Sequence, residues 1–331
     1  MADLRYDPIS ALWVAIARRR RERPIEFIPI EQIHQQIICP FCSGNEDETP
    51  TAIAAYRENG EQLGAEDALD SWISRVVGNK YPSLSDAKGT HPSGPYESSV
   101  RDGVQELVIP TPRHVTSISE LTAVEMEVCL LACQHRVSAL RKQQELEHVM
   151  LFMNCRSSAG ASLEHIHFQV MASPLISHYL QDRTDRNDLN VQSHGESLLT
   201  ALTNWELDQS VRIVSETENF VMYCPYASRF SFQVWIVPRD PKLEFENVTE
   251  SIRQELAQLC RQYVSKLEQI LESPAYNLLV NFAPNKQRQN EHWFVEIFPR
   301  LNRMAGYEIG TDVWVNPVPP ETATKRLRTD T

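Results

Sequence analysis

One order of segments occurs twice in this chain, and it is the feature that most constrains the fold. In the first half, residues 120–148 predict a long amphipathic helix, and an apolar strand then ends at Asn154, 11 residues before a strand that begins at His165. The second half repeats a helix, a strand and a strand, and the corresponding positions are Asn281 and His292, again 11 residues apart. Equal spacing in the same order indicates two copies of one unit.

An additional strand upstream extends this correspondence. The segments ELVIPTP and VWIVP end 53 and 54 residues before the two histidines. The chain is therefore predicted to be an α+β protein with two strand–helix–strand–strand units, each an antiparallel sheet backed by helices, that arose by internal duplication. We place the units at residues 1–180 and 197–331, joined by a polar loop over residues 177–197, and we expect the charged tail after Pro320 to fray.

Composition excludes several classes of protein. The net charge of −12 argues against a nucleic-acid partner, and no apolar stretch approaches the length of a membrane span. The chain has 11 glycines, and neither a Rossmann fingerprint nor a P-loop occurs among them. The seven cysteines are an odd number and no export signal precedes them, which predicts reduced thiols and a cytoplasmic protein.

The segment HIHFQV carries the clearest chemical signal. Side chains alternate between the two faces of a strand, so His165, His167 and Gln169 are predicted to share one face. The other face is apolar and can fill a core, with Ile166, Phe168 and Val170. Such a row suits a site with one imidazole for a metal, one for nucleophilic attack on phosphorus, and an amide that donates to an anionic oxygen. An amide cannot carry protons, so Gln169 favours transfer to a phosphate acceptor over hydrolysis.

Two further segments have a functional and a structural interpretation. The loop Ser157–Ser162 is small and polar, which suits backbone contact with phosphate, although from composition alone an ordinary tight connection is the preferred interpretation. The pair Cys39 and Cys42 has the C-x-x-C spacing of metal ligands. The remaining cysteines are predicted to be free thiols.

The motif from Asn154 to Gln169, N-x₆-A-S-x-x-H-x-H-x-Q, resembles the galactose-1-phosphate uridylyltransferase family of the histidine-triad superfamily. Other segments also resemble this family, and the resemblance covers nearly the whole chain. These segments are LRYDPISALWVAIARRRRERP, CPFCSGNED, VVGNKYPSL, ELVIPTPRHV, ETENFVMYCPYASRFSFQVWIVPR and GYEIGT.

The resemblance implies a role for individual residues. His167 would be the nucleophile, Gln169 its partner on a phosphate oxygen, and Ser162 a third residue of the catalytic group. One structural zinc ion per chain would be held by four ligands, namely Cys39, Cys42, His114 and His165.

The resemblance also implies substrate contacts and an assembly. Nucleotide or phosphate contacts would come from Arg20, Arg23, Asn79 and Asn154. Sugar contacts would come from Tyr307 and Glu308, and the family works as a homodimer. A solvated or nuclear-targeting basic run is the alternative interpretation of the arginines near residue 20.

The second half departs from the family pattern. His292, Phe294 and Glu296 stand where the first half has its two histidines and glutamine, so the second copy lacks a nucleophile. Glu206 stands where the family has a metal-binding glutamate, but a salt-bridged or surface carboxylate is the preferred interpretation, and no second tightly bound metal is expected.

These observations predict a nucleotidyltransferase that forms a nucleotidyl-His167 intermediate. The donor would be a sugar nucleotide of the UDP-glucose type, and the acceptor a hexose 1-phosphate. The alternatives are an ADP-glucose phosphorylase, in which inorganic phosphate is the acceptor, a histidine-triad hydrolase, and a catalytically silent zinc-stabilised scaffold or nucleotide sensor. The HWFVEIFPRL and GYEIGTDVWVNPVPPE segments resemble the ADP-glucose phosphorylase branch more than the uridylyltransferase proper.

Overall fold

Ten strands form one continuous antiparallel sheet in the computed structural model of this chain. The structure describes residues 3–16, 38–64, 71–84, 103–287, 290, 292–301 and 304–328. The ten strands are β3 (Ala52–Tyr56), β4 (Ser74–Gly78), β5 (Val104–Ile109), β6 (His148–Cys155), β7 (Phe168–Ser173), β8 (Ile213–Glu216), β9 (Phe220–Tyr223), β10 (Val234–Pro238), β11 (Tyr276–Asn281) and β12 (Phe294–Pro299). The α+β prediction is confirmed.

The order of the strands in this sheet is mirrored about its centre. It runs β3-β4-β5-β7-β6-β11-β12-β10-β9-β8, so that each half of the chain contributes five neighbouring strands. The two halves meet where β6 pairs with β11, and Asn154 pairs with Asn277 across this seam. The two predicted sheets are therefore joined edge to edge. The duplication itself stays a prediction, which this mirrored order supports.

Two long helices cover one face of the sheet. They are α1 (Ala123–Arg141) and α4 (Glu250–Leu271), which pack against each other. Helix α1 begins with a capping box, in which the Thr122 hydroxyl accepts from the Glu125 amide at 3.1 Å and the Glu125 carboxylate accepts from the Thr122 amide at 2.7 Å. The main apolar core lies between these helices and the sheet, and it includes the fully buried Phe168 and Val170. The opposite face of the sheet is thus left for the site.

A smaller sheet lies outside the large one. It consists of β1 (Asp3–Asp7), β2 (Leu12–Ile16) and β13 (Trp314–Asn316), and the short helix α5 (Gly306–Thr311) packs on β13.

The expectation that the tail after Pro320 frays is wrong. Residues Pro320–Arg328 form helix α6, in which Ala323 and Leu327 are buried against the core. Glu321 accepts from Arg5 at 2.8 Å and from Arg212 at 3.2 Å, so its carboxylate ties this helix to two other segments of the protein.

The polar loop expected over residues 177–197 is also wrong, because helix α2 (His178–His194) lies there, followed by α3 (Leu198–Gln209). Ser177 caps α2 and Gly195 ends it at φ +80°. Thr184 is the one fully buried residue of α2, so the helix carries no apolar stripe. Its contacts are polar instead, as in the bonds from Arg183 to the Asn281 side chain and from Arg186 to a backbone carbonyl.

Two boundaries differ from the predicted ones. Helix α1 ends at Arg141 rather than near residue 148, because the Glu147 amide already donates to the Ser173 carbonyl of the sheet at 2.8 Å. Strand β7 begins at Phe168 rather than at His165, so the two histidines lie in the segment that leads into it, with His165 in a bend. Within the described part of the chain, no helix is both long enough and apolar enough to cross a membrane.

Candidate active site

Four side chains from three separate segments converge at one end of the large sheet. The ligand atoms of Cys39, Cys42, His114 and His165 all lie within 4.8 Å of one another. The Cys39 Sγ to His165 Nδ1 distance is 3.5 Å, the Cys42 Sγ to His114 Nδ1 distance is 3.4 Å, and the Cys42 Sγ to His165 Nδ1 distance is 3.7 Å. Two thiols and two imidazoles therefore face a common point.

These distances fit a tetrahedral metal ion. Zinc bonds of about 2.3 Å to sulfur and about 2.0 Å to nitrogen place neighbouring S and N ligands roughly 3.6 Å apart. Thiolate and imidazole ligands also suit zinc better than magnesium or calcium, which take oxygen ligands. The predicted ligand group is thus assembled in the structure and can hold a metal.

The loop that carries the two cysteines is fixed by hydrogen bonds. The Ser43 amide donates to the Pro112 carbonyl at 3.0 Å, and the Asn45 side chain donates to the Cys39 carbonyl at 2.9 Å. Phe41, between the cysteines, is buried, with its ring centroid 5.0 Å from that of His167. The loop therefore supports both the ligand group and the neighbouring imidazole.

The orientation of His165 is set by its second ring nitrogen. Nε2 donates to the Thr111 carbonyl at 3.1 Å, which leaves Nδ1 as the atom that faces the thiols. Burial and the neighbouring His114 lower the pKa of His165 to about 4. The imidazole is therefore neutral at pH 7, which is the form that binds a metal.

His167 is a buried imidazole with one nitrogen already bonded. Its Nδ1 donates to the carbonyl oxygen of His165 at 3.0 Å, and its side chain is 6% exposed. The proton is therefore on Nδ1, and Nε2 keeps a free lone pair. Burial lowers the pKa of His167 below its ordinary value, which increases the neutral fraction at pH 7.

Gln169 lies two residues further along, at the start of β7. Its Oε1 accepts a hydrogen bond of 3.0 Å from Nε2 of Gln105, which belongs to the neighbouring strand β5. This bond directs the carbonyl end of Gln169 toward β5. The NH₂ group is then the end of the side chain that can donate to another group.

Asn154 is the last residue but one of β6. The pairing of β6 with β7 ends at Met153 and Phe168, so the next position on each side brings Asn154 beside His167. Its Oδ1 accepts from Asn277 Nδ2 at 2.8 Å, and the same Nδ2 donates to the Ala159 carbonyl at 2.9 Å. The Asn154 amide group is thereby oriented with its own NH₂ available.

The turn that follows Asn154 brings backbone close to this amide. Gly160 adopts φ +95°, and a Cβ at this position would lie 3.6 Å from Asn154 Nδ2. A left-handed backbone conformation of this kind favours glycine. The backbone conformation therefore accounts for the glycine at position 160.

Other predicted contacts lie around this centre. Asn79 follows β4; its amide donates to the Gln105 carbonyl at 2.9 Å and its Oδ1 accepts from the Tyr81 amide. Ser162 is exposed on the segment before His165. The structure thus places Asn79 in the turn after β4, bonded to the backbone of the residue whose side chain bonds to Gln169, and Ser162 is open to a ligand.

The predicted sugar contacts lie elsewhere in this chain. Tyr307 is 55% exposed on α5, and Glu308 is buried, with a carboxylate oxygen that accepts from the Ala305 amide at 3.0 Å. Neither residue takes part in the hydrogen bonds described for His167. The predicted phosphate contacts Arg20 and Arg23 lie outside the described residues.

The second half keeps the frame of the site without its ligands. His292 Nε2 donates to the Pro238 carbonyl at 2.8 Å, the counterpart of the His165 bond to Thr111, but its Nδ1 lies 3.1 Å from the Thr200 hydroxyl. Glu296, the counterpart of Gln169, is buried and accepts from Arg229 at 2.9 Å.

Glu206 is buried as well, and its carboxylate is 3.0 Å from Arg212. The preferred interpretation of this residue as a salt-bridged carboxylate is confirmed.

Sequence reasoning missed Gln105 and Asn277. Each lies on the same sheet face as the site and bonds to a predicted site residue. A signal existed for Asn277, because NLLVN places two asparagines four residues apart, and hence on the same face of a strand that is otherwise apolar. Gln105 has no such signal, since the order of β5 and β7 in the sheet is needed to bring it to Gln169.

Known proteins share this fold and sequence pattern. The crystal structure of an ADP-glucose phosphorylase from Arabidopsis thaliana with bound ADP-glucose aligns over 100% of both chains, with 27% identity and a TM-score of 0.83. The ADP-glucose phosphorylase sequence of that plant is 29% identical over 98% of this chain and 92% of its own length. A galactose-1-phosphate uridylyltransferase of Thermotoga maritima is 25% identical over 99% of this chain and 98% of its own length.

The fold, the assembled side chains and these relatives define an enzyme of the galactose-1-phosphate uridylyltransferase-like group. Residues 113–330 match the protein family described as Domain of unknown function (DUF4921), and the chain belongs to that family.

Proposed function

We propose that this protein transfers a nucleoside monophosphate from a sugar nucleotide to a phosphate oxygen of an acceptor, through a covalent intermediate on His167. The observation that carries this proposal is the bond from His167 Nδ1 to the His165 carbonyl at 3.0 Å. It leaves Nε2 unprotonated and directed away from the backbone, as an in-line attack on phosphorus requires.

In the first step, the Nε2 lone pair attacks the α-phosphorus of the sugar nucleotide. The bond from that phosphorus to the bridging oxygen breaks, and the sugar 1-phosphate leaves with the electron pair. In the second step, an acceptor phosphate oxygen attacks the same phosphorus and displaces the His167 imidazole. The leaving group and the acceptor are anionic phosphates, so neither step requires a proton carrier at the position of Gln169.

Gln169 and Asn154 are the polar groups proposed to bind the reacting phosphate. The carbonyl oxygens of both side chains already accept hydrogen bonds from a neighbouring amide, so their NH₂ groups can donate to non-bridging oxygens. Exposed Ser162 and the turn at Asn79 complete the proposed phosphate and nucleotide contacts.

The thiol and imidazole group is proposed to hold one structural zinc ion. When bound, the metal would link the cysteine loop to the segment that carries His165 and His167, and four protein ligands leave no open position for substrate. The residues of the chain perform the chemistry.

Two pairs of donor and acceptor fit this mechanism. ADP-glucose with inorganic phosphate is the first candidate, because identity to the ADP-glucose phosphorylase relative is 29% and to the uridylyltransferase relative 25%. UDP-glucose with a hexose 1-phosphate is the second, on the similarity to the latter. The sugar contacts through Tyr307 and Glu308 and the homodimer belong to this proposal, and light scattering of the purified protein tests the dimer.

A product analysis tests the function. The protein is incubated with ADP-glucose, UDP-glucose or GDP-glucose, each with inorganic phosphate or galactose 1-phosphate, and products are identified by mass spectrometry. ADP and glucose 1-phosphate are expected from ADP-glucose and phosphate. Without acceptor, the intact protein should gain the mass of one nucleotidyl group, which is a nucleoside monophosphate less one water, in a phosphoramidate that is labile in acid and stable in base.

A matched pair of histidine variants identifies the nucleophile. His167→Ala should lose both the adduct and the turnover, whereas His194→Ala, at an exposed position of α2, should keep both. Turnover by His167→Ala at the wild-type rate would refute the covalent mechanism. Free nucleoside monophosphate as the main product would instead indicate the hydrolase.

A further inference from the structure

The side chain of Gln105 lies between Gln169 and the turn after β4, and both of its ends are bonded. Nε2 donates to Gln169 Oε1 at 3.0 Å, and Oε1 accepts from the Ser83 backbone amide at 2.9 Å. The backbone of Gln105 also contacts this turn, because its carbonyl accepts from the Asn79 amide at 2.9 Å. One residue thus connects the proposed nucleotide turn to the amide beside the nucleophile.

The direction of this chain of hydrogen bonds is fixed by its first member. A backbone N–H can donate but cannot accept, so the end of Gln105 that faces Ser83 must be the carbonyl oxygen. The NH₂ end then faces Gln169, and Gln169 must present its own carbonyl to it. Rotation of either amide by half a turn would bring two like groups together and lose a bond.

We propose that Gln105 is a positioning residue, which holds the NH₂ group of Gln169 toward the reacting phosphate. This inference rests on the proposed function, in which that NH₂ donates to a phosphate oxygen. Without Gln105, the two orientations of the Gln169 amide become similar in energy, and one of them presents a carbonyl oxygen to an anion. Gln105 acts through Gln169 and need not touch the substrate.

Gln105→Met keeps the length of the side chain and removes its donor without adding a charge. Turnover should fall about fivefold to tenfold, as expected for the loss of one orienting hydrogen bond. The loss should appear in kcat more than in KM, because the donated bond matters most when charge develops on the phosphate. Gln258→Met, at an exposed position of α4 on the other side of the sheet, should turn over at the wild-type rate.

A double-mutant cycle distinguishes positioning from a structural role. Gln105→Met also removes the acceptor of the Ser83 amide in the proposed nucleotide turn, so the cycle is read in kcat rather than KM. In the Gln169→Ala background, Gln105→Met should cause no further loss of kcat, since there is no amide left to orient. A second fivefold to tenfold loss in that background would overturn the inference. A covalent adduct on His167 in the wild-type protein would leave the proposed function intact in that case.

A second readout does not depend on turnover. Gln105→Glu still accepts from Ser83 but cannot donate, so Gln169 should turn and donate its NH₂ to the new carboxylate. The Gln169 side-chain amide resonances, identified by their absence in Gln169→Ala, should move downfield in an amide NMR spectrum. Unchanged resonances would overturn the inference. This outcome is independent of the proposed function, because the resonances can be measured in a protein that forms no nucleotidyl adduct.

Discussion

At the scale of single residues, the site depends on which nitrogen or oxygen of each side chain is already bonded. His167 has Nδ1 bonded to a backbone carbonyl, and Gln169 has Oε1 bonded to a neighbouring amide. In both cases, the remaining atom has the character that the proposed reaction needs, a lone pair on the histidine and an N–H on the glutamine. The backbone and the neighbouring strand therefore determine the chemistry of these side chains.

The identity of residue 169 is expected to decide between transfer and hydrolysis. A histidine at this position can exchange a proton with water, so Gln169→His should raise the ratio of hydrolysis to transfer. Gln169→Ala should slow transfer about a hundredfold or more, as for the removal of one oxyanion donor. Free nucleoside monophosphate and transfer product are quantified in the same reaction, which gives both the rate of transfer and the ratio of hydrolysis to transfer. An unchanged ratio in Gln169→His would remove the argument from this residue for a transferase.

A buried histidine away from the site should control stability in acid. Burial and the charges of Arg183 and Arg141 lower the pKa of His148 from 6.5 to about 4. Between about pH 4 and pH 6.5, the unfolded chain therefore binds a proton that the folded protein does not bind. The free energy of unfolding falls as the pH drops below about 6.5, and this loss continues to about pH 4. A shift of this size corresponds to about 3 kcal/mol.

The measurement is the free energy of unfolding in urea at pH 7 and pH 4. His148→Gln cannot take up the proton, so its loss of stability between the two values should be smaller than that of the wild type by up to about 3 kcal/mol. His178→Gln, at an exposed position, serves as the control. Equal losses in His148→Gln and the wild type would show that this histidine does not contribute.

At the scale of secondary-structure elements, the cysteine loop packs against the segment that precedes β7. Phe41 contacts the ring of His167, and His165 lies 3.5 Å from the Cys39 sulfur. A displacement of the loop would therefore move the proposed nucleophile, although no loop residue takes part in the proposed chemistry.

Removal of one thiol is expected to reduce metal content and stability together. Cys39→Ser should lose the metal and lower the thermal midpoint, because the free energy of ligand binding contributes to folding. Cys129→Ser, a buried thiol of α1 outside the ligand group, is the matched control and should keep its metal. Full metal occupancy of Cys39→Ser in elemental analysis would show that Cys39 is not a ligand.

The sequence predicted elements with an apolar period and missed those without one. Helix α4 is the helix predicted for the second half, and it was recognisable because it has a clear apolar stripe and an N-terminal Thr249 cap. Helix α2 was missed because its interface is polar, as in the bond from Arg183 to Asn281. Site residues were predictable where spacing alone defines them, as for Cys39 and Cys42. Gln105 was not, because its role depends on which strands are neighbours.

At the scale of the whole molecule, the two halves share a frame but differ in their ligands. In the first half, His165 Nε2 bonds to a carbonyl and Nδ1 faces two thiols. In the second, His292 makes the corresponding carbonyl bond, and its Nδ1 can accept from the Thr200 hydroxyl. With both nitrogens bonded, His292 has no lone pair left for a metal.

We therefore expect about one zinc ion per chain. Elemental analysis of protein purified without a chelator should give this ratio, and His292→Ala should keep it. The same variant should be less stable than the wild type, because it removes a partly buried side chain with two hydrogen bonds. Two ions per chain, one of them lost in His292→Ala, would show that the second half binds a metal.

The seam between β6 and β11 has a consequence for how such a chain can be divided or inherited. A cut between the halves would leave one edge of β6 and one edge of β11 unpaired, where residues 151–155 and 276–280 now bond to each other. An unpaired strand edge is a template for pairing with another chain. Either half encoded alone would therefore tend to pair through this edge, with a copy of itself or with the other half.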